Sequence, residues 1–113
     1  MKEIKAIIQP FMLTRVVTAL HKIEGLPGIT ISDTKGFGKS RGKKENYTDE
    51  EGIYEFVPKN KIEIVVHDEI AEIVVNAIQE NAHTGNPGDG KIFVTNLENV
   101  VKIRTNERGE IAI

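Results

Sequence analysis

With 113 residues, the chain is long enough for one hydrophobic core, so we expect a single domain spanning residues 1–113. Its formal charge of −2 excludes a global basic field, and we expect no nucleic-acid partner. No apolar run approaches the roughly 18 residues of a membrane span, and the absence of cysteine excludes disulfides and thiolate metal sites. These properties predict a cytoplasmic protein.

The first part of the chain has the pattern strand, helix, strand. Residues 2–9 alternate between apolar and polar side chains, which predicts a half-buried strand ended by Pro10. Apolar residues at helical spacing predict an amphipathic helix over residues 13–23, closed by a glycine-rich and proline-containing segment. A second strand is predicted from residue 29 to about residue 35.

The second half of the chain repeats this pattern. Residues 62–66 alternate as a strand, and Asp68 stands at an N-cap position that favours a helix start. An apolar stripe at helical spacing covers residues 70–78. A glycine-rich turn over residues 85–90 then leads into a last strand, residues 91–96.

Two such units predict an α+β fold, a ferredoxin-like βαββαβ sandwich with both helices on one face of a four-stranded sheet. The other face of that sheet would carry Ile7, Val65 and Phe93. Apolar residues on both faces imply that the second face is covered too, most simply by another copy of the chain. We therefore expect an obligate small homo-oligomer.

A long charged insertion, residues 36–57, separates the two units, and its basic residues precede its acidic ones. A loop of this length inside a compact domain is usually functional or disordered. It is either a solvated, salt-bridged hairpin or a mobile interaction loop whose sorted charges respond to an anionic ligand. At the other end, the C-terminal segment 98–113 contains an alternating stretch that predicts Lys102 and Arg104 on one face of a strand.

Three separated segments offer flexible backbone or cations to a polyanion. Residues 85–91 have the spacing of a P-loop, but no Ser or Thr follows Lys91 and the motif leads into a strand, so a tight turn is as well supported as a phosphate site. The second segment is Gly36-Phe37-Gly38-Lys39, and the third is the pair Lys102 and Arg104. Their combination in a chain of net negative charge favours an anionic ligand.

Five strings of the chain carry a likeness to one family. They are Ile-Ile-Gln-Pro-Phe at 7–11, Lys-Gly-Phe-Gly at 35–38, Pro-Lys-Asn-Lys-Ile-Glu-Ile-Val-Val at 58–66, Thr-Gly-x-x-Gly-Asp-Gly-Lys-Ile-Phe-Val at 84–94 and Ile-Arg-Thr at 103–105. With these strings the chain resembles the PII nitrogen-regulatory signalling proteins over essentially its whole length.

The resemblance implies a homotrimer that binds ATP or ADP in the clefts between neighbouring subunits, and magnesium can accompany ATP. It implies that residues 36–57 form the loop called the T-loop, which contacts a membrane transporter or a metabolic enzyme, and that the chain is a regulator and not an enzyme. The implied phosphate contacts are Gly36, Phe37, Gly38, Lys39, Gly88, Asp89, Gly90 and Lys91, with Lys102 and Arg104 from the adjacent subunit. The implied neighbours of the base and ribose are Ile7, Gly28, Thr30, Glu63 and Val65.

Some positions depart from the family pattern. Ser40 stands where members usually have a glutamine that helps hold magnesium and 2-oxoglutarate, which puts the usual 2-oxoglutarate response in doubt although Lys59, which would pair with that ligand, is present. Gly52 aligns with the tyrosine that many members modify, so modification there is not expected. The Gly-Leu-Pro-Gly string at 25–28 resembles a divergent subgroup. An alternative function is therefore a sensor of AMP, bicarbonate or metal beside a transport or metal-efflux system.

Two other classes of function have less support in the sequence than a regulator. An enzyme that hydrolyses nucleotide or transfers phosphate would need catalytic residues, and the sequence offers no recognisable set. A metal-binding protein would need clustered ligands, whereas His21, His67 and His83 are too scattered to predict a site.

Overall fold

The computed structural model describes residues 1–37 and 56–113, so the predicted residues Gly38, Lys39 and Ser40 and most of the T-loop lie outside it. Its elements follow the order strand, helix, strand, strand, helix, strand, which confirms the predicted ferredoxin-like α+β fold. They are β1 (Lys2–Ile8), α1 (Leu13–His21), β2 (Thr30–Gly36), β3 (Val57–Val66), α2 (Asp68–Ala82) and β4 (Gly90–Asn96), with short 3-10 helices at Pro10–Met12 and Gly109–Ala112.

The four strands form one antiparallel sheet in the order β2-β3-β1-β4. Ile4 of β1 lies in register with Ile64 of β3 and with Val94 of β4. Because successive side chains of a strand point to opposite faces, this row faces the helices, while the neighbouring rows face away from them.

The hydrophobic core lies between the helices and one face of the sheet. Both helices contribute side chains with no exposed surface, Val16 and Leu20 from α1 and Val74 and Ile78 from α2. Burying an aliphatic side chain of this size stabilises the fold by about 1.5–3 kcal/mol. The sheet supplies Ile4, Ala6, Ile8, Ile62, Ile64 and Val66.

The face of the sheet opposite the helices is called the open face here. It carries the predicted apolar residues, Ile7 and Val65, which are half-buried, and Phe93, which is 48% exposed. Lysine, glutamate and threonine side chains lie among them. They are Glu3, Lys5, Lys59, Lys61, Glu63, Lys91, Thr95, Thr30 and Thr34.

Some predicted boundaries were wrong. The helix predicted to reach residue 23 ends at His21. The strand predicted over residues 62–66 begins at Val57, because its first residues pair with β2, and Gly36 lies in register with Val57. The two ends of the predicted T-loop therefore belong to the sheet. The start of β3, Val57-Pro58-Lys59, shows no alternation of apolar and polar residues, because it pairs with a polar edge strand.

The predicted start of α2 needs a correction of one residue. His67 occupies the N-cap position and Asp68 is the first residue of the helix. The Asp68 carboxylate accepts a hydrogen bond from the Met1 amino group at 2.8 Å, and this bond is the main reason that the pKa of Asp68 is lowered. Neither helix within the described residues is long and apolar enough to span a membrane.

The C-terminal segment does not form the predicted strand, so Lys102 and Arg104 do not share a strand face. Val101 makes a single bridge to Arg108, and the Asn106 N–H donates to the Lys102 carbonyl at 2.7 Å, with Asn106 in the left-handed region at φ 63°. The segment reverses and pairs with itself. Arg104 is exposed at the tip of the segment, whereas the Nζ atom of Lys102 lies 3.7 Å from Oε1 of Glu107.

Candidate functional site

The strand ends meet the glycine-rich turn at one end of the sheet. Ile8, the last residue of β1, lies in register with Asn60 of β3 and with Gly90, the first residue of β4. At the same end, β2 finishes with Gly36 beside Val57. Residues 84–90, called the glycine turn here, therefore lie at the same end of the sheet as Gly36 and Val57, where the predicted T-loop begins and ends.

The open face brings together several residues that the resemblance assigns to a nucleotide. Glu63 lies in register with Thr30 on one side and Lys5 on the other, and Ile7 lies in register with Lys91. Gly28, which lies two residues before β2, is exposed. The residues on this face that the resemblance assigns to a nucleotide are Ile7, Thr30, Glu63, Val65 and Lys91, and Lys59, which it assigns to 2-oxoglutarate, lies on the same face.

Gly90 starts β4 with a backbone conformation that only glycine fits. Its φ is +101°, and a Cβ at this position would lie 1.7 Å from the Ile7 carbonyl oxygen. A contact under 3 Å with backbone cannot be relieved by turning a side chain. The turn can therefore approach β1 only because residue 90 is glycine.

The Asp89 side chain forms hydrogen bonds with the first residues of the glycine turn. Its carboxylate accepts hydrogen bonds from the Thr84 hydroxyl at 2.5 Å, the Thr84 N–H at 2.7 Å and the Gly85 N–H at 2.9 Å. The bond from the Thr84 side chain is the main cause that lowers the pKa of Asp89 from 3.8 to about 2. The carboxylate is thus ionised and already accepts hydrogen bonds from Thr84 and Gly85. A phosphate contact at residue 89 would therefore have to come from its backbone N–H.

Two side chains from the sheet also reach the turn. Lys59 of β3 donates to the Gly88 carbonyl oxygen at 2.5 Å. The Gln9 amide, just after β1, contributes to the lowered pKa of Asp89, and its Nε2 lies 3.6 Å from where a Cβ of Gly88 would be. Gln9 is not among the site residues predicted from the sequence. Its place directly before Pro10 in the Ile-Ile-Gln-Pro-Phe string was the available signal.

A cavity of about 240 Å³ lies between the last turn of α2 and the start of β4. Its walls include the buried Ile8, Ile78 and Ala82, and its rim includes Lys91 and His83. The Nδ1 atom of His83 is 3.9 Å from the Asp89 carboxylate. The cavity therefore adjoins the glycine turn on the side of the helices.

For three predicted site residues, the structure shows contacts or positions other than the glycine turn. Lys102 pairs with Glu107 within its own segment, and Arg104 is at the exposed tip of that segment. Phe37 lies against Phe56, with ring centroids 6.0 Å apart, at the base of the T-loop. In the described part of the chain, no three histidine or acidic side chains are grouped to hold a metal ion.

Comparisons with known proteins agree with the sequence motifs. The family model described as nitrogen regulatory protein P-II matches residues 1–107. The chain is 52% identical to a nitrogen regulatory protein P-II of Azospirillum brasilense over 113 residues, 100% of both chains. It is 51% identical to the proteins of that name from Rhodospirillum rubrum and Rhizobium meliloti, again over 100% of each chain.

Replacing Gly90 by alanine is expected to destabilise the fold much more than the same change at Gly85. Both glycines have positive φ, but an alanine Cβ at Gly85 would meet the nearest atoms, those of the His83 ring, at 3.8 Å, an ordinary contact. Gly85→Ala should therefore lower the free energy of unfolding only by the cost of the left-handed conformation, about 1–2 kcal/mol. Gly90→Ala should lower it by at least about 2 kcal/mol more. Urea unfolding measures the stability of both variants. Equal losses of unfolding free energy would contradict the close approach of residue 90 to the Ile7 carbonyl.

The stability that Asp89 confers is expected to depend on pH. Because the folded chain holds the pKa of Asp89 at about 2, below its ordinary value of 3.8, its bonds stabilise the fold above about pH 4 and are lost as the pH falls toward 2. The difference in unfolding free energy between the wild type and Asp89→Asn should narrow as the pH falls from about 5 to about 2. A difference that stays constant over this range would rule out the carboxylate as the cause.

Proposed function

The chain belongs to the nitrogen regulatory protein P-II family, and we propose that it is a regulator that binds ATP or ADP and controls a partner protein. One observation carries the proposal: the strand ends, the glycine turn and Lys91 meet at one end of the open face. The same arrangement gives no support to an enzyme, since the acidic group beside the turn, Asp89, is engaged in holding it.

The chemistry of this end of the sheet suits a nucleoside phosphate. Successive backbone N–H groups of a glycine-rich turn form a concavity for anions, and the Lys91 ammonium adds a charge beside it. Ile7 and Val65 offer apolar surface to a base, while Glu63 can accept hydrogen bonds from ribose hydroxyls. The ligand would thus lie along the open face, with its phosphates toward the turn.

We propose that the site is completed by a neighbouring copy in a homotrimer. The open face carries Ile7, Val65 and Phe93, and Phe93 is 48% exposed, so a second copy would bury apolar surface there. The tip of the C-terminal segment, where Ile103 is 99% exposed beside Arg104, has the form of an arm that reaches another molecule. Lys102 and Arg104 would then meet the phosphates of the neighbour.

The output is proposed to pass through residues 36–57, which would contact a membrane transporter or a metabolic enzyme in the cytoplasm. The described ends of this loop are anchored by the pairing of Gly36 with Val57. Gly36 therefore belongs both to the base of the loop and to the proposed phosphate site. This continuity supports a link between the ligand and the partner.

A second candidate function is a sensor of AMP, bicarbonate or metal without the usual 2-oxoglutarate response. The observation that favours it is Ser40, which stands where the family usually has a glutamine and which lies outside the described residues. Calorimetry with 2-oxoglutarate in the presence of ATP separates the two functions. Binding of 2-oxoglutarate would exclude the alternative.

Titration calorimetry with ATP and ADP tests nucleotide binding, and we expect one site per chain. Lys91→Ala removes a charged donor, a loss of about 1.5–3 kcal/mol, so affinity for ATP should fall by about 10- to 150-fold. Arg15→Ala, an exposed residue on α1, is the matched control and should bind ATP like the wild type. No heat with either nucleotide, or equal affinity of Lys91→Ala and the wild type, would contradict the proposal.

A further inference from the structure

The glycine turn is held by two kinds of contact, one within the turn and one from the sheet. The Asp89 carboxylate joins the turn to its own beginning at Thr84 and Gly85. This internal bonding sets the shape of the turn but does not set its position over the strands. The position depends on side chains from outside the turn, since Lys59 donates to the Gly88 carbonyl and the Gln9 amide lies beside Gly88.

Lys59 holds the turn from β3. Its ammonium donates to the Gly88 carbonyl, a charge-assisted bond, which is stronger than a bond between neutral groups. The carbonyl and the N–H of one peptide unit point in opposite directions, so fixing the Gly88 carbonyl also fixes the direction of the Asp89 N–H. Gly88 has φ +98° and no side chain, which leaves this peptide few restraints of its own.

Gln9 holds the turn from β1. It directly follows Ile8, whose partner in the ladder is Gly90, so Gln9 continues the strand line toward the turn. Its Nε2 and the Lys59 Nζ lie at the same distance, 3.6 Å, from the point where a Cβ of Gly88 would be. The two side chains thus reach neighbouring residues of the turn: Lys59 donates to the Gly88 carbonyl, and the Gln9 amide lies beside Gly88 and contributes to the lowered pKa of Asp89.

We propose that Lys59 and Gln9 are positioning residues that set the direction of the N–H groups of the glycine turn before any anion is bound. This role differs from the one that the resemblance implies for Lys59, a direct contact to a carboxylate ligand. Its consequence for affinity rests on the proposed function, because it assumes that these N–H groups meet a phosphate. The ordering of the turn does not depend on that assumption.

Nuclear magnetic resonance of the unliganded chain tests the ordering directly. In the wild type, the amides of residues 88–90 should be rigid, with order parameters near about 0.85, and in Lys59→Met they should fall below about 0.6. Lys61→Met is the matched control, since Lys61 shares the strand and the open face but its ammonium lies 4.0 Å from Glu63. Lys59→Arg, which keeps a charged donor, should restore the rigidity.

Gln9→Leu gives a second, independent variant. It removes the amide donor and keeps a side chain of similar size, and it should also lower the order parameters of residues 88–90. If Lys59→Met does not fold, Gln9→Leu decides alone. Unchanged order parameters in every variant that folds would overturn the proposal.

Calorimetry separates a positioning role from a direct contact. If Lys59 acts through Gly88, Lys59→Met should weaken ATP, ADP and AMP by similar factors and leave the salt dependence of ATP binding unchanged. A loss of affinity that grows with the number of phosphates, together with a shallower salt dependence of binding, would show that Lys59 contacts the phosphates directly. That result would overturn the positioning role. If no nucleotide binds but the turn still loosens in Lys59→Met, the proposed function fails and the inference on the turn stands.

Discussion

The approach of Gly90 to the Ile7 carbonyl is the constraint on which the rest of the site depends. A Cβ at residue 90 would lie 1.7 Å from that oxygen, so the first residue of β4 must be glycine for the strand to pair with β1. This pairing places the glycine turn beside the ends of β1 and β3. The contact of Lys59 with the Gly88 carbonyl oxygen depends on this position.

The two faces of the sheet have different roles. One face is covered by the helices and carries the aliphatic core. The open face carries the groups that suit a nucleotide and also apolar surface such as Phe93. Because the same face would meet both the ligand and a neighbouring copy, assembly and binding are expected to be linked.

Much of the fold could be predicted because the core rows of β1 and β3 alternate and the helices repeat at their own period. The start of β3 could not, since Val57-Pro58-Lys59 pairs with a polar edge strand and shows no alternation. The predicted strand at Lys102 was wrong because a short alternating stretch needs a partner strand, and this one turns back on itself. In the site, the sequence motifs located the turn, but only the structure could show that the Gln9 and Lys59 side chains both lie beside Gly88.

The central claim is that one end of the open face, beside the glycine turn, receives an adenine nucleotide. Mapping of amide chemical shifts during a titration with ATP tests this claim most directly, because every segment of the chain reports at once. The largest shift changes should fall at residues 7–9, 59–65 and 84–91, while the amides on the outer surfaces of α1 and α2 should stay unchanged. Changes concentrated on the helices, with the glycine turn unaffected, would contradict it.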